Sequence, residues 1–562
     1  MSEPSARNLP TVQERVATNP LTAAAFAAAL MGLAWSLRFV QDDAFISFLY
    51  ARNWLNGEGL TWFGTRVEGY TNFLWVAWIA LGQGFGLDPI SWSYAGGLSS
   101  FAVAIYAVWK IALATTHDAT IALFAILLFG TNYSVACYAT GGLETMAQTA
   151  LLALASLRAL EFMQKDRISR RSMVLVSLLL CAAALTRLDS AVLGLWVGLA
   201  LLWSIARQED AKALLACLAL PLIIVLGTWL LWKLDYYGSV FPNTFAAKIG
   251  GDGSATENGL RFLGRFFSWY ALWPVFGAGL IGWIAGRLTQ RVDLPPASVG
   301  LLALPLVSWL AYVASVGGDF MEFRFIVPAT PYLFILLAYL IHGGLGRTLG
   351  YPLTCTAIAL AILGTASIRH ANEFSGTSED KALDSIATLG TFYGNAPTGN
   401  WSRLGDRLRE DLRGTNARLA LHPVGAIPYY SELETVDMWG LNDLWIARHG
   451  QEVPAAYPRP GHRRHATLAY LEEQSVHLVI GEPTRIARGE LTRLAQPRAF
   501  ALWIQSAISF NQERVQQATL VAMPLDEKEA LLMWYLTPSP QINRAIVQHG
   551  WEVQRFGRGP AR

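Results

Sequence analysis

The sequence predicts a mainly α, polytopic membrane protein carrying a soluble α/β exterior domain at its C-terminal end. Three observations predict this. Of 562 residues, 53% are hydrophobic and only 15% are charged, whereas a soluble globular chain carries roughly a quarter charged residues. Long apolar runs recur from residue 21 to residue 368, many of them near the roughly 20 residues that cross a hydrocarbon core. After residue 368 the runs shorten to stretches such as ARLALH and VHLVIGEP, with amphipathic segments between them. That is α/β patterning.

Residues 1–20 are polar and of mixed charge, and read as a cytoplasmic tail. Leu21 to Leu37 is apolar, with no small-residue cleavage site before Gln41. It reads as a retained first span and not as a removed signal peptide. Candidate spans then lie at 21–40, 94–114, 119–136, 143–163, 172–186, 189–206, 212–232, 271–286, 298–316, 329–346 and 350–368, about eleven where shorter runs are tolerated. The run NFLWVAWIALGQGFG at 72–86 is short, Trp-rich and broken by glycine, which suits an interfacial or re-entrant helix. Cys137, Cys181, Cys217 and Cys355 all lie in apolar runs and read as buried free thiols.

Basic residues set the orientation. With the N-terminus inside, the loops QKDRISRRS, RQEDAK, GRLTQR and GRTLG fall inside, as the positive-inside rule asks. The loops 41–93, 137–142, 187–188, 233–270 and 317–328 fall outside. An odd number of spans also puts residues 370–562 outside. The division is then a tail over 1–20, a membrane domain over 21–369 with exterior loop 41–93, and a soluble domain over 370–562. A net charge of +2 gives no reason for a polyanionic partner, and no nucleic acid is expected.

Most of the unusual polar sequence falls on the exterior side. Asp42 and Asp43 follow the first span, with Arg52, Glu58 and Glu68 later in the same loop. Paired carboxylates can supply a general base, a nucleophile or a metal site, or simply cap a membrane interface. Glu144 in GGLETM stands at a span's outer end, where an acid at membrane depth suggests function and a helix N-terminal acid is the plainer reading. Arg187 and Asp189 in LTRLDS interrupt an apolar stretch, as a binding pair or as the brace of a turn. DYYGSVFPNTFAAKIG brings Asn243 and Lys248 to the exterior side, where Lys248 could meet a lipid phosphate or snorkel. VGGDFMEFRFIVP gathers Asp319, Glu322 and Arg324. Arg324 suits bidentate phosphate recognition, or an internal salt bridge with Asp319. Polar residues gathered at one face suit an enzyme acting on a lipid-linked substrate. A pore, flippase or transporter is the alternative, and it predicts charges along the spans or helices broken mid-membrane instead.

The segments DDAFISFLYARNWLNGEGL, VEGYTNFLW, GGLET, LTRLDS, YYGSVFPNTFAAK, VGGDFMEFRFIVPATP and GAIPYYSELETVDMWGLND, between about residues 41 and 465, resemble the terminal β-(1→2)-arabinofuranosyltransferase family. The resemblance implies the C-type glycosyltransferase fold and a polyprenyl-phosphate-linked sugar donor, with arabinofuranose as the expected sugar. It also implies a glycan or glycoprotein acceptor, a lipid bilayer as surroundings, and a bacterial inner membrane with the site facing the exterior. By the resemblance Asp42 and Asp43 hold the catalytic carboxylate, with Asp42 favoured. Arg324, Lys248 and Arg187 are then expected at the donor phosphate. Glu68, Tyr70, Asn72, Glu144, Asn243, Asp319, Tyr429 and Tyr430 are expected around the substrates; Tyr429, Tyr430, Asp437 and Asn442 could face the acceptor, close the chamber or simply pack the C-terminal domain. No cofactor is firmly implied, although the acidic pair could hold a divalent metal. Retaining and inverting outcomes both stay open.

Overall fold

The computed structural model describes residues 20–248, 254–290, 296–374, 383–391, 400–453, 462–491 and 518–555. The chain divides into two compact units. One comprises Met1–Arg38, Ser93–Trp229 and Gly253–Phe374, and the other comprises Phe39–Trp92, Leu230–Asp252 and Ser375–Arg562.

The first unit is helical. Among the described residues six helices are long and apolar enough to cross a membrane, which makes this a multi-pass membrane protein: Pro89–Thr116, Thr145–Met163, Leu188–Ile205, Ala211–Tyr237, Arg324–Leu349 and Pro352–Glu373. Ala255–Trp269 and Leu272–Leu288, bent by 78°, make a seventh if counted together. The expected spans at 21–40, 119–136 and 298–316 fall on apolar helices of 10–17 residues, and that at 172–186 on the 17-residue helix Arg170–Thr186. A count of eleven therefore does not follow from helix length.

Burial ranks the long helices. The apolar window of Arg324–Leu349 is 94% buried, against 17% for Ala211–Tyr237. The first is the centre of its packing, and the second turns its apolar side chains outward, as a lipid-facing helix does. Glycine lets Leu272–Leu288 lie close to the central helix. A Cβ at Gly282 would collide with the main chain and side chain of Leu345, so only a residue without one permits that approach. Of the four cysteines, Cys137 and Cys181 are buried, Cys217 and Cys355 are half-buried, and all are free thiols.

The second unit is α/β, as the short apolar runs predict. Its main sheet has six strands in the order β2-β1-β5-β7-β6-β8. These are β1 (Arg418–Leu421), β2 (Glu434–Asp437), β5 (Leu478–Ala487), β6 (Thr519–Pro524), β7 (Glu529–Tyr535) and β8 (Glu552–Arg555), while β3 (Gln451–Glu452) and β4 (Arg464–His465) form a separate ribbon. Strands β2, β1 and β5 run parallel, and the remaining pairs are antiparallel. Leu419, Ala420 and Leu421 in β1 and Leu478, Val479 and Ile480 in β5 are all buried, the near-continuous apolar run of a strand covered on both faces. Helix Ala426–Ser431 connects β1 to β2, and helices Leu444–His449 and Leu468–Glu473 lie between β2 and β5.

Residues 39–92 pack with this unit, although sequence groups that loop with the membrane helices. Hydrogen bonding explains the difference. The Trp62 indole N–H donates to the Thr435 carbonyl at 2.8 Å, Arg52 donates to the Tyr429 carbonyl at 2.8 Å, and the Tyr50 hydroxyl meets Asn442 Oδ1 at 3.2 Å. Helix Ala44–Leu55 buries nine of its 12 residues. The helix Phe73–Gly84, the expected interfacial segment, follows it in the same unit.

Candidate active site

Asp42 and Asp43 form the turn that starts helix Ala44–Leu55, as expected from their place after the first apolar helix. Their surroundings differ. Asp42 is 6% exposed. Its Oδ1 accepts the Ala426 N–H at 2.8 Å and its Oδ2 accepts the Gly425 N–H at 3.0 Å. The carboxylate thus holds the start of helix Ala426–Ser431, where N–H groups have no helical partner. Burial pushes the Asp42 carboxyl up to about 7, with the two N–H groups pulling it down and the Asp43 charge pushing it further up. Gly425 is required at this contact, because a Cβ there would run into the Asp42 main chain and carboxyl carbon. Asp43 is half-buried, and its N–H bonds the Gln41 side chain.

The other expected residues of this unit are fastened into the protein's own frame. Glu68 pairs with the fully buried Lys233 at 2.8 Å, and burial still lifts its carboxyl to about 7 against that attraction. Tyr70 meets the Tyr237 hydroxyl at 3.1 Å. Asn72 and Ser47 exchange side-chain hydrogen bonds at 3.1 and 3.2 Å. The Asn243 amide donates to the carbonyls of Gly440, Leu441 and Asp443 at 2.8–3.1 Å, so it shapes the turn after β2. Asp437 shapes the same turn by accepting N–H groups from Trp439 and Asn442. Tyr429 and Tyr430 pack on the Phe45 ring at 5.4 and 5.6 Å, and the Arg52 guanidinium lies 4.5 Å above the Tyr429 ring. The Lys248 side chain lies outside the described residues.

In the helical unit the motifs GGLET, LTRLDS and VGGDFMEFR meet. Arg187 bridges Glu144 at 2.9 Å and Asp189 at 2.7 Å. Gln148 donates to Asp189 at 2.7 Å and to the Ser190 hydroxyl at 3.0 Å. Arg324 bonds Asp319 through Nε at 2.7 Å. Both guanidinium groups sit 5.2 Å from the Phe325 ring, which belongs to the residue that follows Arg324. The turn that sets this up includes Gly317 and Gly318 at φ 88° and 76°, and Phe323 at φ 49°. The Phe323 side chain is fully buried, and that packing holds an unusual left-handed conformation for an aromatic residue. Two arginines and three acids are thus brought together by segments that sequence can only name separately.

Two groupings lie beyond what the sequence signals. His370, near the end of helix Pro352–Glu373, meets Glu322 at 2.6 Å, and Ser134 joins the same Glu322 oxygen at 3.3 Å and the Tyr270 hydroxyl at 2.8 Å. In the α/β unit, His422, Trp439, His462 and His465 gather after β1, after β2 and around β4. Lone histidines in scattered segments carry no spacing signal; the glycine in HPVGAIP is the one available hint of close approach. Among the described residues, no group of three or more His, Cys, Asp or Glu side chains is placed to hold a metal ion.

Comparison with known proteins follows the same lines. The chain has the C-type glycosyltransferase fold. ArnT from Cupriavidus metallidurans superposes with a TM-score of 0.53 in its apo state, over 92% of this chain and 98% of that one, at 14% identity. The same protein bound to undecaprenyl phosphate gives 0.51 over 92% and 99%, also at 14% identity. At the level of sequence, the chain is 27% identical to the terminal β-(1→2)-arabinofuranosyltransferase of Mycobacterium tuberculosis over 337 residues, covering 54% of this chain and 52% of that relative. The relative of the same name from Corynebacterium glutamicum is also 27% identical, over 328 residues, 52% of this chain and 46% of the other. The chain thus spans about half the length of the curated relatives it matches. Residues 392–523 match a domain of unknown function, DUF8728.

Proposed function

We propose that this protein is a membrane glycosyltransferase. It moves a sugar, arabinofuranose by the 27% likeness, from a polyprenyl-phosphate donor to a glycan or glycoprotein acceptor at the outer face of a bacterial inner membrane. The observation that carries the reading is the acidic pair, with Asp42 immobilised by two backbone N–H groups and Asp43 beside it. In this division of labour Asp42 is a positioning residue and Asp43 is the reactive carboxylate. That reverses the preference drawn from sequence alone, because both Asp42 oxygens already have donors.

The chemistry is then simple. The acceptor hydroxyl gives its proton to Asp43 as its oxygen bonds the anomeric carbon. The bond from that carbon to the phosphate oxygen breaks. Polyprenyl phosphate leaves without needing a proton. Within the helical unit, Arg324 and Arg187 are the groups suited to a lipid phosphate. Glu144, Asp189 and Asp319 hold those arginines in place through the ion pairs described above.

The test is turnover of purified full-length protein in detergent, where transport has no meaning. Release of polyprenyl phosphate from polyprenyl-phosphoryl-arabinofuranose, with the sugar found on an added arabinan acceptor, is the expected result. A protein that binds this donor and moves it across vesicle membranes without ever cleaving it would be a flippase.

A further inference from the structure

The main sheet has a switch point where its parallel strands end. From β1 the chain crosses to β2 on one side and then returns to β5 on the other. In open α/β sheets ligands bind at such a switch point, outside the carboxyl ends of the strands. Here those ends carry an unusual set of residues. His422 immediately follows β1, Trp439 follows β2, and Glu482 lies where β5 leaves β1. Trp439 is half-buried and Glu482 is exposed. Imidazoles surround the indole: the Trp439 ring lies 5.0 Å from His422, 4.9 Å from His462 and 5.1 Å from His465. The last two stand nearly perpendicular to it, at 87° and 84°.

The protonation pattern limits what can bind. His465 Nδ1 lies 2.8 Å from the Ala466 carbonyl, so it carries a proton and donates. Burial holds the His465 imidazole down at about 4, so the ring is neutral and its Nε2 accepts. His422 Nε2, 3.0 Å away, must then be the donor. His422 Nδ1 faces the Glu482 carboxylate at 3.8 Å. An indole among imidazole edges, beside an exposed carboxylate, is ill suited to a phosphate. It suits a neutral ring with C–H groups on one face and hydroxyls around its edge. The chain leaving β1 at His422 also leads to the acidic pair, since Gly425, three residues after His422, bonds Asp42.

We propose that Trp439, His422, His465 and Glu482 form a carbohydrate subsite that receives the acceptor glycan, with the Trp439 indole as its stacking surface. This rests on the transferase reading above and names where the acceptor lies.

The test uses full-length protein in nanodiscs, titrated with a soluble arabinofuranosyl oligosaccharide and followed by saturation-transfer NMR. A separate assay follows release of polyprenyl phosphate from the donor. Trp439→Ala should weaken oligosaccharide binding about tenfold, with Trp439→Phe restoring most of it. Trp445→Ala removes an indole that stacks on Tyr470 at 4.2 Å elsewhere in the same unit, and should leave oligosaccharide binding unchanged. If Trp439→Ala does not fold, Glu482→Gln on the exposed side chain carries the test, with an expected loss of about threefold. Donor cleavage without oligosaccharide binding overturns the subsite and leaves the transferase. Oligosaccharide binding that depends on Trp439, without donor cleavage, keeps the subsite and overturns the transferase. Wild-type affinity in Trp439→Ala, or in Glu482→Gln where that variant stands in, overturns the subsite outright.

Discussion

At Asp42, an amide in place of the carboxylate turns one acceptor into a donor. Whichever way the substituted amide faces in Asp42→Asn, its NH2 would meet the N–H of Gly425 or of Ala426. A buried donor facing a donor costs about 1–3 kcal/mol, so Asp42→Asn should lower the thermal midpoint and impair transfer together. Asp43→Asn should leave the midpoint near wild type and cut turnover by about 10² to 10⁴. Unfolding scans and donor cleavage on both variants check this; equal stability and full activity in both would leave the pair as an interface cap. Titration gives a second check. Asp42 and Asp437, ordinarily near 3.8, and Glu68, ordinarily near 4.5, are all raised to about 7 by burial. Each binds its proton more tightly folded than unfolded. Their contribution to stability is therefore largest below the unfolded values and is lost as pH rises towards 7. The unfolding midpoint of the α/β unit should fall between about pH 4 and pH 7, and a rise across that window would contradict it. The sequence does single out Asp42, Asp43, Arg187 and Arg324, because charge beside apolar runs is conspicuous. It cannot say that Asn243 and Asp437 build a turn, since that depends on carbonyls and N–H groups far away or free of any pattern.

Helices are legible in the sequence where hydropathy alone decides them and blurred where geometry does. The runs at 329–346 and 350–368 appear as Arg324–Leu349 and Pro352–Glu373. Ser254–Trp269 escapes a search for apolar runs because its apolar residues recur at helical spacing among polar ones. The 78° bend after it depends on Ala271 at φ 51°, a conformation for which an alanine gives no signal. The connection from β1 to helix Ala426–Ser431 is set by the close approach of Gly425 to Asp42. Gly425→Ala should push that connection away from Asp42, lowering stability by about 1–3 kcal/mol as overpacking does and reducing transfer more than Asp42→Asn does. Thermal unfolding and turnover of the two variants side by side would decide it; a fully active Gly425→Ala would show that the contact is not needed.

For the whole molecule, the basic loops predict an orientation that can be measured. Arg171 lies in the first turn of helix Arg170–Thr186, next to a basic loop, and Glu452 lies on the α/β unit; both are exposed. The native thiols all lie within helices. An impermeant maleimide on intact cells should label Glu452→Cys and spare Arg171→Cys; the opposite pattern would invert the topology. Composition is enough to separate helical membrane segments from an α/β region. It is not enough to join residues 39–92 to the C-terminal unit, because the partners of Trp62 and Tyr50 lie more than 370 residues further along. Periodicity reports which face of an element is apolar, but it does not report which distant segment covers that face.

That separation has a consequence for the order of synthesis. Asp42 leaves the ribosome 383 residues before Gly425 does. Throughout that interval Asp42 has neither of the N–H donors that later fix its carboxylate. Trp62 likewise waits for Thr435. A nascent chain halted before residue 425 can hold membrane helices, but its Asp42 carboxylate lacks the Gly425 and Ala426 N–H groups. Contacts this long-range form late. Asp42 is therefore fixed only after the sheet-bearing segment has been made and has folded against it, so a stalled or clipped product is expected to lack that support.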